Sequence, residues 1–403
     1  MPDTRDTTTI VAGTGPAGLT AALALAQSGF SVTLIGPDVR LDDRRTTALM
    51  APSLAFLQTL GVAARLREEA APLRVMRIVD ATSRLVRSPP VTFRAAEIDE
   101  DFFGLNIPNA HLNRVLEEAV AAHPGIDWRR TTVSEWHLEP ERAVAALADG
   151  GEAHGLLVAA ADGRASPARE TAGIATRRTA LPQAALVLNF SHSREHEWIS
   201  TEFHTETGPF TQVPLPGRRS SLVWVVRPHT AEELLALPDE ELSRRIEEKM
   251  QSVLGEVKVE PGRQVYPLAS ITPLSFAAKR VALVGEAAHV FPPIGAQGLN
   301  LGIRDVEDLA AVAARHRDDP GSPAALAEYD RRRRADIFAR SSAVNLLNRS
   351  LLSSLLPAQF ARFVGLGALG AFSPLRSFFM REGLRPGSGF SALTGGLREK
   401  VRR

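Results

Sequence analysis

The sequence contains no cysteine among its 403 residues. This absence excludes a disulfide-bonded scaffold, cysteine-ligated zinc, iron–sulfur clusters and thiol nucleophiles, and it fits a reducing compartment. An excess of one charge sign is also missing, because 47 Lys and Arg residues balance 46 Asp and Glu residues and leave a formal net charge of +1. The composition therefore gives no indication of a nucleic-acid partner, and we predict none. We predict no metal site either.

Long apolar runs are scarce as well. Residues 7–37 carry no charge, but glycines and a proline at positions 13–18 interrupt them, whereas a membrane-spanning helix needs about 20 predominantly apolar residues. Acidic and basic residues at positions 3–6 argue against a signal peptide. The stretch has instead the pattern of a strand, an Ala/Leu-rich helix and a second strand, which predicts a βαβ unit.

The turn between the first strand and the helix reads Gly13-x-Gly15-Pro16-Ala17-Gly18, the G-x-G-x-x-G pattern. The first glycine permits a tight turn, the second lets a pyrophosphate approach the backbone, and the third lets the helix pack on the strand. Free amides and the positive end of the helix dipole then face the phosphates. The turn therefore predicts a dinucleotide site.

The second strand of this unit departs from the expected pattern. An acidic residue normally follows about 20 residues after the glycines and binds the ribose hydroxyls. This sequence has Gly36 there, followed by Pro37 and Asp38. Either Asp38 reaches back to the ribose or another group replaces it.

Three further positions each have two interpretations. Arg45 precedes an amphipathic helix and is either a surface arginine or a cofactor ligand. Asn109 introduces the helix over residues 110–122 and could be a simple N-cap. Asp162-Gly163 ends a buried strand, which usually indicates a turn.

Residues 280–315 are the most informative segment. A buried strand is followed by Gly285 and Glu286, then by a loop with His289, Pro292 and Pro293, and finally by glycines 295 and 298 before a long helix near Leu299. A carboxylate at a strand end and a glycine-permitted helix N-terminus suit a group that develops negative charge, such as a reduced flavin ring.

Taken together, these motifs resemble the single-component, FAD-dependent aromatic hydroxylases. The resemblance is strongest to ubiquinone-biosynthesis hydroxylases of the UbiH/UbiF/VisC type, and the LIGPD at the end of the second strand is similar to alphaproteobacterial members. It covers nearly the whole chain and extends to Gly208-Pro209-Phe210, Ser221 to Trp224 and Arg381-Glu-Gly383.

The resemblance implies that FAD is the cofactor and that NAD(P)H binds transiently as co-substrate. The implied cofactor-binding residues are Gly13, Gly15, Pro16, Ala17, Gly18, Asp38, Arg45, Asn109, Asp162, Gly163, Glu286, His289, Pro292, Gly295, Gly298, Leu299 and Asn300. Glu286 departs from the family, which ordinarily has Asp, so its carboxylate lies about one C–C bond length further out. This departure bears on FAD affinity more than on function.

The middle of the chain alternates in short strands over residues 184–228, which predicts an antiparallel sheet with one face over the flavin domain. The resemblance directs Phe210 toward the substrate, and with Pro293 it is our candidate for the pocket wall. Trp224 is interpreted as a core residue. Residues 231–254 predict one structural amphipathic helix, and the Arg331 to Arg334 run is interpreted as a solvated helix face rather than a nucleic-acid patch.

The fold class expected is α/β, with a doubly wound, Rossmann-like FAD domain and a second β-sheet domain. We assign residues 1–75, 100–180 and 270–340 to the FAD domain and residues 76–99 and 181–269 to the substrate domain. A helical C-terminal segment covers residues 341–403.

The resemblance implies a monooxygenase that hydroxylates the aromatic ring of a polyprenylated phenol with O2, through a flavin C4a-hydroperoxide. No residue is identified as a catalytic base. One alternative is another FAD enzyme of this fold acting on a different aromatic compound. A second alternative, motivated by Gly36 and Glu286, is a non-catalytic FAD-binding accessory protein of a biosynthetic complex.

The apolar C-terminal segment from Asn345 onward has three explanations. It packs on the flavin domain, it contacts another subunit or another ubiquinone-biosynthesis protein, or it docks on a membrane surface. A homo-oligomer through these helices belongs to the second explanation. The expected localisation is cytoplasmic, with the third explanation adding a peripheral position at the inner membrane.

Overall fold

The computed structural model describes residues 9–83, 87–293, 297–352, 367 and 372–384. Within these residues the strands are, in chain order, β1 (Thr9–Ala12), β2 (Val32–Ile35), β3 (Thr46–Met50), β4 (Ala71–Pro72), β5 (Val75–Asp80), β6 (Val91–Arg94), β7 (Gly104–Pro108), β8 (Ile126–Arg129), β9 (Val133–Leu138), β10 (Ala143–Leu147), β11 (Glu152–Gly155), β12 (Leu157–Ala160), β13 (Thr176–His192), β14 (Ile199–His204), β15 (Pro209–Leu215), β16 (Arg219–Val226), β17 (Val257–Val259), β18 (Gln264–Pro273), β19 (Ala277–Ala278) and β20 (Val281–Leu283).

The α-helices of the same part of the chain are α1 (Pro16–Gln27), α2 (Ala51–Thr59), α3 (Ala63–Leu66), α4 (Asn109–Ala121), α5 (Pro167–Thr171), α6 (Pro228–Ala236), α7 (Asp239–Lys249), α8 (Gln297–Arg315), α9 (Pro323–Leu352) and α10 (Ser373–Leu384). Two short 3-10 helices cover Ala95–Ile98 and Gly285–Ala287. The expected α/β class is confirmed.

A six-stranded sheet in the order β19-β20-β12-β1-β2-β8 forms the first core. Strands β1, β2, β12 and β20 are short, apolar and completely buried, as expected for parallel strands covered on both faces. From β1 the chain continues to β2 on one side, whereas β12 pairs with β1 on the other. The carboxyl ends of β1 and β12 therefore flank a switch in strand order, where open α/β sheets bind ligands.

A second, eight-stranded sheet has the order β17-β13-β16-β15-β14-β5-β6, with β18 also paired to β13. Its pairs are antiparallel except for the parallel pair of β14 with β5. The strands within the proposed substrate domain, residues 76–99 and 181–269, fall in this sheet. Strands β5 and β6 come much earlier in the sequence than β14, yet β5 pairs with β14 and β6 pairs with β5. Strand alternation in the sequence does not indicate this pairing.

The two faces of the eight-stranded sheet have different surroundings. One face carries Phe190, Phe203, Phe210 and Trp224, and it forms a buried apolar cluster with the helices α6 and α7. The other face meets the small sheet β3-β7-β4, where Thr46 Oγ1 donates to Ser221 Oγ at 2.9 Å. The second face is therefore the one that lies toward the first core.

The helix predicted over residues 231–254 is wrong in its bounds. The structure has two helices, α6 and α7, with Leu237 between them in an extended conformation at ψ 150°. Pro238 follows and explains the break, because proline disfavours helical geometry in the residue before it. The second helix ends at Lys249.

The paired strands β13 and β18 connect the two cores. Near the first core Thr176 pairs with Pro273, and further along Ala184 pairs with Pro267 in the eight-stranded sheet. The register shifts between Ala180 and Ala184. These two of the chain's connections between the cores thus run side by side as one hydrogen-bonded ribbon; the chain also passes between the cores from β4 to β5 and from β6 to β7.

The described part of the C-terminal segment contacts the rest of the chain. Met380 on α10 packs with Ala95, Ile98 and Phe103, and Arg376 Nε donates to Glu97 Oε2 at 2.7 Å. Of these partners, Ala95, Glu97 and Ile98 lie within residues 76–99, so the first explanation, packing on the flavin domain, holds only for the contact with Phe103. Much of the segment, including residues 353–366, lies outside the described residues. Among the residues that are described, no helix has the length and apolarity needed to cross a membrane.

Candidate cofactor and substrate site

The glycine-rich turn lies between β1 and α1, and its three glycines have different roles. Gly13 adopts φ +110°, and a Cβ there would lie 2.2 Å from the Ala161 carbonyl oxygen. A Cβ on Gly18 would lie 2.0 Å from the Gly13 carbonyl oxygen. A Cβ on Gly15 would meet nothing within 4 Å. The first and third glycines are therefore required by packing, whereas open space lies in front of Gly15.

The N-terminus of α1 borders this open space. Gly15 is the N-cap, no side chain caps the helix, and Pro16 occupies the first turn, which carries no acidic residue. The first amides of a helix lack partners within the helix, so they attract an anion. Ala17 sits beside Gly285, where an added Cβ would lie 3.0 Å from the Ala17 Cβ. The turn thus meets the loop after β20.

The departure at Gly36 has a local cause. A Cβ at position 36 would lie 2.6 Å from Thr14 Cγ2, and Thr14 Oγ1 donates to the Pro37 carbonyl oxygen at 2.8 Å. Thr14 therefore fills the volume that a side chain at position 36 would need. Asp38 is exposed and accepts a hydrogen bond from Arg130 Nε at 2.8 Å. The Asp38 carboxylate thus has an arginine partner at this end of the site.

Arg45 belongs to a polar cluster rather than to an isolated surface position. Arg45 forms a bidentate ion pair with Asp43, which also accepts from Asn109 Nδ2 at 3.0 Å. The Arg45 guanidinium lies 5.4 Å from the centre of the Tyr266 ring. Burial raises the pKa of Asp43, but the hydrogen bonds from Arg45 and Asn109 outweigh this effect and lower it. Arg45 and Asn109 are therefore held by the same carboxylate.

Asp162 follows β12 at the switch in strand order. Its Oδ2 accepts from the Ala168 amide at 3.1 Å, whereas its Oδ1 is buried and has no partner within the described residues. Burial raises the pKa of Asp162. Gly163 adopts φ +83° with nothing within 4 Å of an added Cβ. The Asp-Gly turn thus adds a free acceptor and open space to the site.

Glu286 lies in the 3-10 helix after β20 and forms an ion pair with Arg164. Arg164 Nε donates to Glu286 Oε2 at 3.1 Å, and Arg164 Nη2 donates to Oε1 at 3.2 Å. Both side chains remain about half exposed. Arg164 directly follows the Asp-Gly turn, and the sequence alone predicts no role for it. The Glu286 side chain, which is one methylene longer than that of Asp, therefore has an ion-pair partner on the turn after β12.

His289 is buried behind the loop that it belongs to. His289 Nε2 lies 2.8 Å from Asp305 Oδ2, which also accepts from the Gly285 amide at 2.9 Å. Arg333 Nε donates to Asp305 Oδ1 at 2.8 Å. Both His289 and Arg333 side chains are 1% exposed. His289 therefore supports the loop from behind, rather than forming its exposed surface as a cofactor ligand would.

Arg333 also corrects the interpretation of the arginine run. Besides Asp305 it pairs with Asp308 at 2.8 Å and Asp336 at 3.1 Å. Burial alone would lower the pKa of Arg333, but the surrounding carboxylates raise it. The solvated-face interpretation is wrong for this arginine, although the side chain of Arg334 is 55% exposed. The signal in the sequence was the pair Asp305 and Asp308, two carboxylates three residues apart on one face of α8, because a buried carboxylate requires a cation.

Asn300 fixes the start of α8 against β3 and α2. Its Oδ1 accepts from the Met50 amide at 2.9 Å and from Ser53 Oγ at 2.7 Å, and its Nδ2 donates to the Ala48 carbonyl oxygen at 2.8 Å. Gly298 has nothing within 4 Å of an added Cβ, and Leu299 packs partly against the first core. Gly295 lies outside the described residues, and Pro292 precedes that gap.

The two pocket candidates differ. Phe210 is completely buried, and its ring packs edge-on against Phe203 and Trp224 at centroid distances of 5.8 and 5.1 Å. These contacts place it on the sheet face toward α6 and α7, so the prediction that its side chain lines the substrate pocket is wrong. Trp224 is a core residue, as interpreted. Pro293 is half-buried beside the residues that are not described.

These features fit a flavin dinucleotide. Open space lies at Gly15, Gly163 and Gly298, and an uncapped helix N-terminus and a buried acceptor on Asp162 border it. Such a set suits a diphosphate with hydroxyl-bearing groups on either side. No group of His, Asp and Glu side chains suited to a metal ion occurs in the part of the chain that the structure describes.

Comparison with known proteins identifies the class. Residues 6–340 match the FAD binding domain family, and the chain belongs to it. Among curated relatives, ubiquinone hydroxylase UbiL of Rhodospirillum rubrum is 34% identical over 93% of this chain and 89% of its own length. The 3-demethoxyubiquinol 3-hydroxylase of Escherichia coli is 29% identical over 89% of this chain and 93% of its own. The cofactor of this family is FAD, as expected from the sequence.

Solved structures share the fold. The p-nitrophenol 4-monooxygenase PnpA of Pseudomonas putida has a TM-score of 0.75 at 22% identity and covers 94% of this chain and 96% of its own. HpxO of Klebsiella pneumoniae, complexed with FAD and uric acid, has a TM-score of 0.70 at 20% identity, with 89% and 92% covered. At these identities the comparison establishes the fold.

Proposed function

We propose that this protein is an FAD-dependent monooxygenase that uses NAD(P)H and O2 to hydroxylate the aromatic ring of a polyprenylated phenol in ubiquinone biosynthesis. The observation that carries the proposal is the dinucleotide site described above in a chain that matches ubiquinone hydroxylase UbiL over 93% of its length. When bound, FAD supplies the redox chemistry with oxygen. The chain's own residues bind it, orient it and exclude water from it.

The substrate is proposed to bind against the sheet face that is turned toward the first core. Ile78, Val213 and Val223 lie on this face and are half-buried, whereas the apolar residues of the opposite face are sealed under α6 and α7. Half-exposed apolar side chains provide area that an isoprenoid tail can cover, at about 0.8 kcal/mol per buried CH2. The proposed pocket wall is therefore formed by Val213, on the same strand as Phe210.

We also propose the cofactor contacts. Amides at the start of α1 bind the pyrophosphate, and Arg45 and Asn109 lie beside it. Asp162 and Glu286 accept from hydroxyl groups, and the amides of Gly298, Leu299 and Asn300 face the ring edge. Their support is the uncapped helix and the unpartnered Asp162 Oδ1.

The departures at Gly36 and Glu286 do not favour the accessory-protein alternative. Thr14 fills the space at Gly36, and Arg164 pairs with Glu286, so both positions have a local structural reason. Purified protein tests the proposal: FAD absorbance together with NAD(P)H oxidation that a 2-prenylphenol stimulates supports it. Tight FAD without any NAD(P)H oxidation contradicts it. Quinone profiling by mass spectrometry in a strain lacking the gene then identifies the ring position.

For localisation we propose a peripheral position at the inner membrane. The side chains of Phe372 and Leu375, at the start of α10, are large, apolar and exposed at 63% and 38%. A lipid-tailed substrate partitions into the bilayer, so such a contact would place the enzyme near it. Sedimentation of the protein with vesicles of anionic lipid tests the proposed membrane contact. The double variant Phe372→Ser, Leu375→Ser is the control, because it removes the two exposed apolar side chains.

A further inference from the structure

Two titratable side chains lie on the sheet face that the proposed function assigns to the substrate. Glu202 and His204 alternate on β14 with Thr201 and Phe203, and Phe203 belongs to the cluster under α6 and α7. Glu202 and His204 therefore point to the opposite face.

The register across the sheet supports this assignment. Glu202 pairs with Thr211, and Thr211 pairs with Val223. Two residues further along β15 and β16, Val213 pairs with Ser221, whose hydroxyl accepts from Thr46. Since residues two apart on a strand share a face, Glu202 and His204 lie on the face that meets β3.

The two side chains form a nearly buried pair. His204 Nε2 lies 2.8 Å from Glu202 Oε1, and the side chains are 3% and 18% exposed. Thr211 Oγ1 donates to the other carboxylate oxygen, Oε2, at 3.4 Å. His204 Nδ1 is buried and has no partner within the described residues. Because a carboxylate oxygen can only accept, His204 donates from Nε2 to Glu202, and Nδ1 takes no part in this contact.

The surroundings of this pair are largely apolar. Ile78 lies beside Glu202 in register, and Val213 and Val223 share its face. The acidic Asp80 lies beside His204, but its oxygens accept from Thr82 Oγ1 and the Ser88 amide. Placing a carboxylate in such a wall costs free energy unless hydrogen bonds compensate it, and here the compensating partners are His204 and Thr211. The packing of the sheet alone gives no reason for it.

We infer that Glu202 is the base that removes the proton of the substrate's phenolic hydroxyl. This rests on the proposed function. The phenol O–H bond breaks, the proton moves to Glu202 Oε2, and the electron pair stays on the phenol oxygen and enriches the ring. His204 acts as a positioning residue, since it donates to Oε1 and leaves Oε2 with one long contact, the 3.4 Å hydrogen bond from Thr211 Oγ1. No oxidant or reductant takes part in this step.

The test uses the FAD-loaded full chain and two probes, a 2-prenylphenol and its ring-fluorinated, more acidic analogue. Glu202→Gln keeps the size of the side chain but removes the base. We expect it to retain FAD and to lower kcat for the prenylphenol by about 10²-fold, the scale of general base catalysis. The fluorinated phenol should recover much of that loss, because it loses its proton more readily. In the wild type, the two phenols should react at similar rates.

Two further variants give the controls. Glu206→Gln changes an exposed carboxylate on the same hairpin, which accepts from Ser83 Oγ at 2.8 Å, and should leave kcat unchanged. Glu202→Asp keeps a base and should restore equal rates for the two phenols, at a lower kcat. This second variant answers the question if Glu202→Gln does not fold.

The outcomes separate the two proposals. Wild-type protein with bound FAD and no phenol-stimulated NAD(P)H oxidation would overturn the proposed function and this inference with it. An active wild type together with a Glu202→Gln variant of unchanged kcat overturns only the inference. A folded Glu202→Gln variant that is slow with both phenols equally also overturns it, because that result indicates a structural role.

Discussion

Arg164 holds both carboxylate oxygens of Glu286, at 3.1 and 3.2 Å, and so joins the Asp-Gly turn after β12 to the 3-10 helix after β20. Two segments that are about 120 residues apart in sequence thereby form one charged edge, which we propose borders the bound cofactor. The pair gives the carboxylate of Glu286 a partner on the neighbouring turn.

Replacing Glu286 tests this edge. Glu286→Ala should weaken FAD binding by about 1–3 kcal/mol, the cost of a lost hydrogen bond to a charged group. Glu286→Asp should bind FAD as well as the wild type does, or more tightly. Flavin fluorescence titration measures both dissociation constants. If the Ala variant binds FAD with the wild-type constant, Glu286 does not contact the cofactor.

Two glycines of the turn should behave differently. Gly15→Val should give a folded protein without FAD, because the side chain enters open space that the pyrophosphate needs. Gly18→Ala should destabilise the fold itself, since its Cβ would lie 2.0 Å from the Gly13 carbonyl oxygen. Thermal unfolding and flavin absorbance distinguish the two losses. A Gly15→Val protein with the full flavin spectrum would contradict our placement of the pyrophosphate.

Arg333 should contribute much more to stability than its neighbour in the run. Arg333→Leu leaves Asp305 buried without its cation and should cost about 3–5 kcal/mol of unfolding free energy. Arg334→Ala removes a largely exposed pair with Asp330 and should cost at most about 1 kcal/mol. Urea unfolding of both variants provides the comparison. Equal losses would mean that the buried network does not stabilise the loop.

Phe210 should act through the core. Phe210→Ala removes a completely buried ring between Phe203 and Trp224 and should cost about 3–5 kcal/mol of stability. The fraction of NAD(P)H oxidation that ends as H2O2 should stay as in the wild type at a temperature where the variant is folded. Peroxide assay and thermal unfolding check this. Normal stability combined with increased peroxide would return Phe210 to the pocket wall.

Local sequence patterns predicted the parts of this protein that depend on local geometry. The βαβ unit and the roles of Gly13 and Gly18 follow from strand periodicity and from glycine spacing, and both are found as expected. The glycine spacing also predicts the open space in front of Gly15, where a Cβ would meet nothing within 4 Å. The fold class was likewise predictable, because it rests on the order of such units.

The errors concern which neighbours a side chain meets. The resemblance directs Phe210 toward the substrate, whereas its ring packs under α6 and α7. Alternation gives two faces for β15 but does not say which of them those helices cover. The burial of Arg333 depends on Asp305, 28 residues earlier in the chain, and four consecutive arginines conceal which one faces inward. The pairing of Glu286 with Arg164 likewise joins distant segments. Each of these contacts is decided by tertiary packing.

The ribbon of β13 and β18 limits how the two cores can move. Because the strands are hydrogen-bonded to each other along the crossing, neither can act as an independent hinge. Any movement of one core relative to the other at this crossing has to bend both strands together, and the register shift between Ala180 and Ala184 is the point where the ladder is interrupted. A wide separation of the two cores would therefore have to bend both paired strands at once. A small twist about the register shift leaves the hydrogen-bonded pairs on either side of it in place.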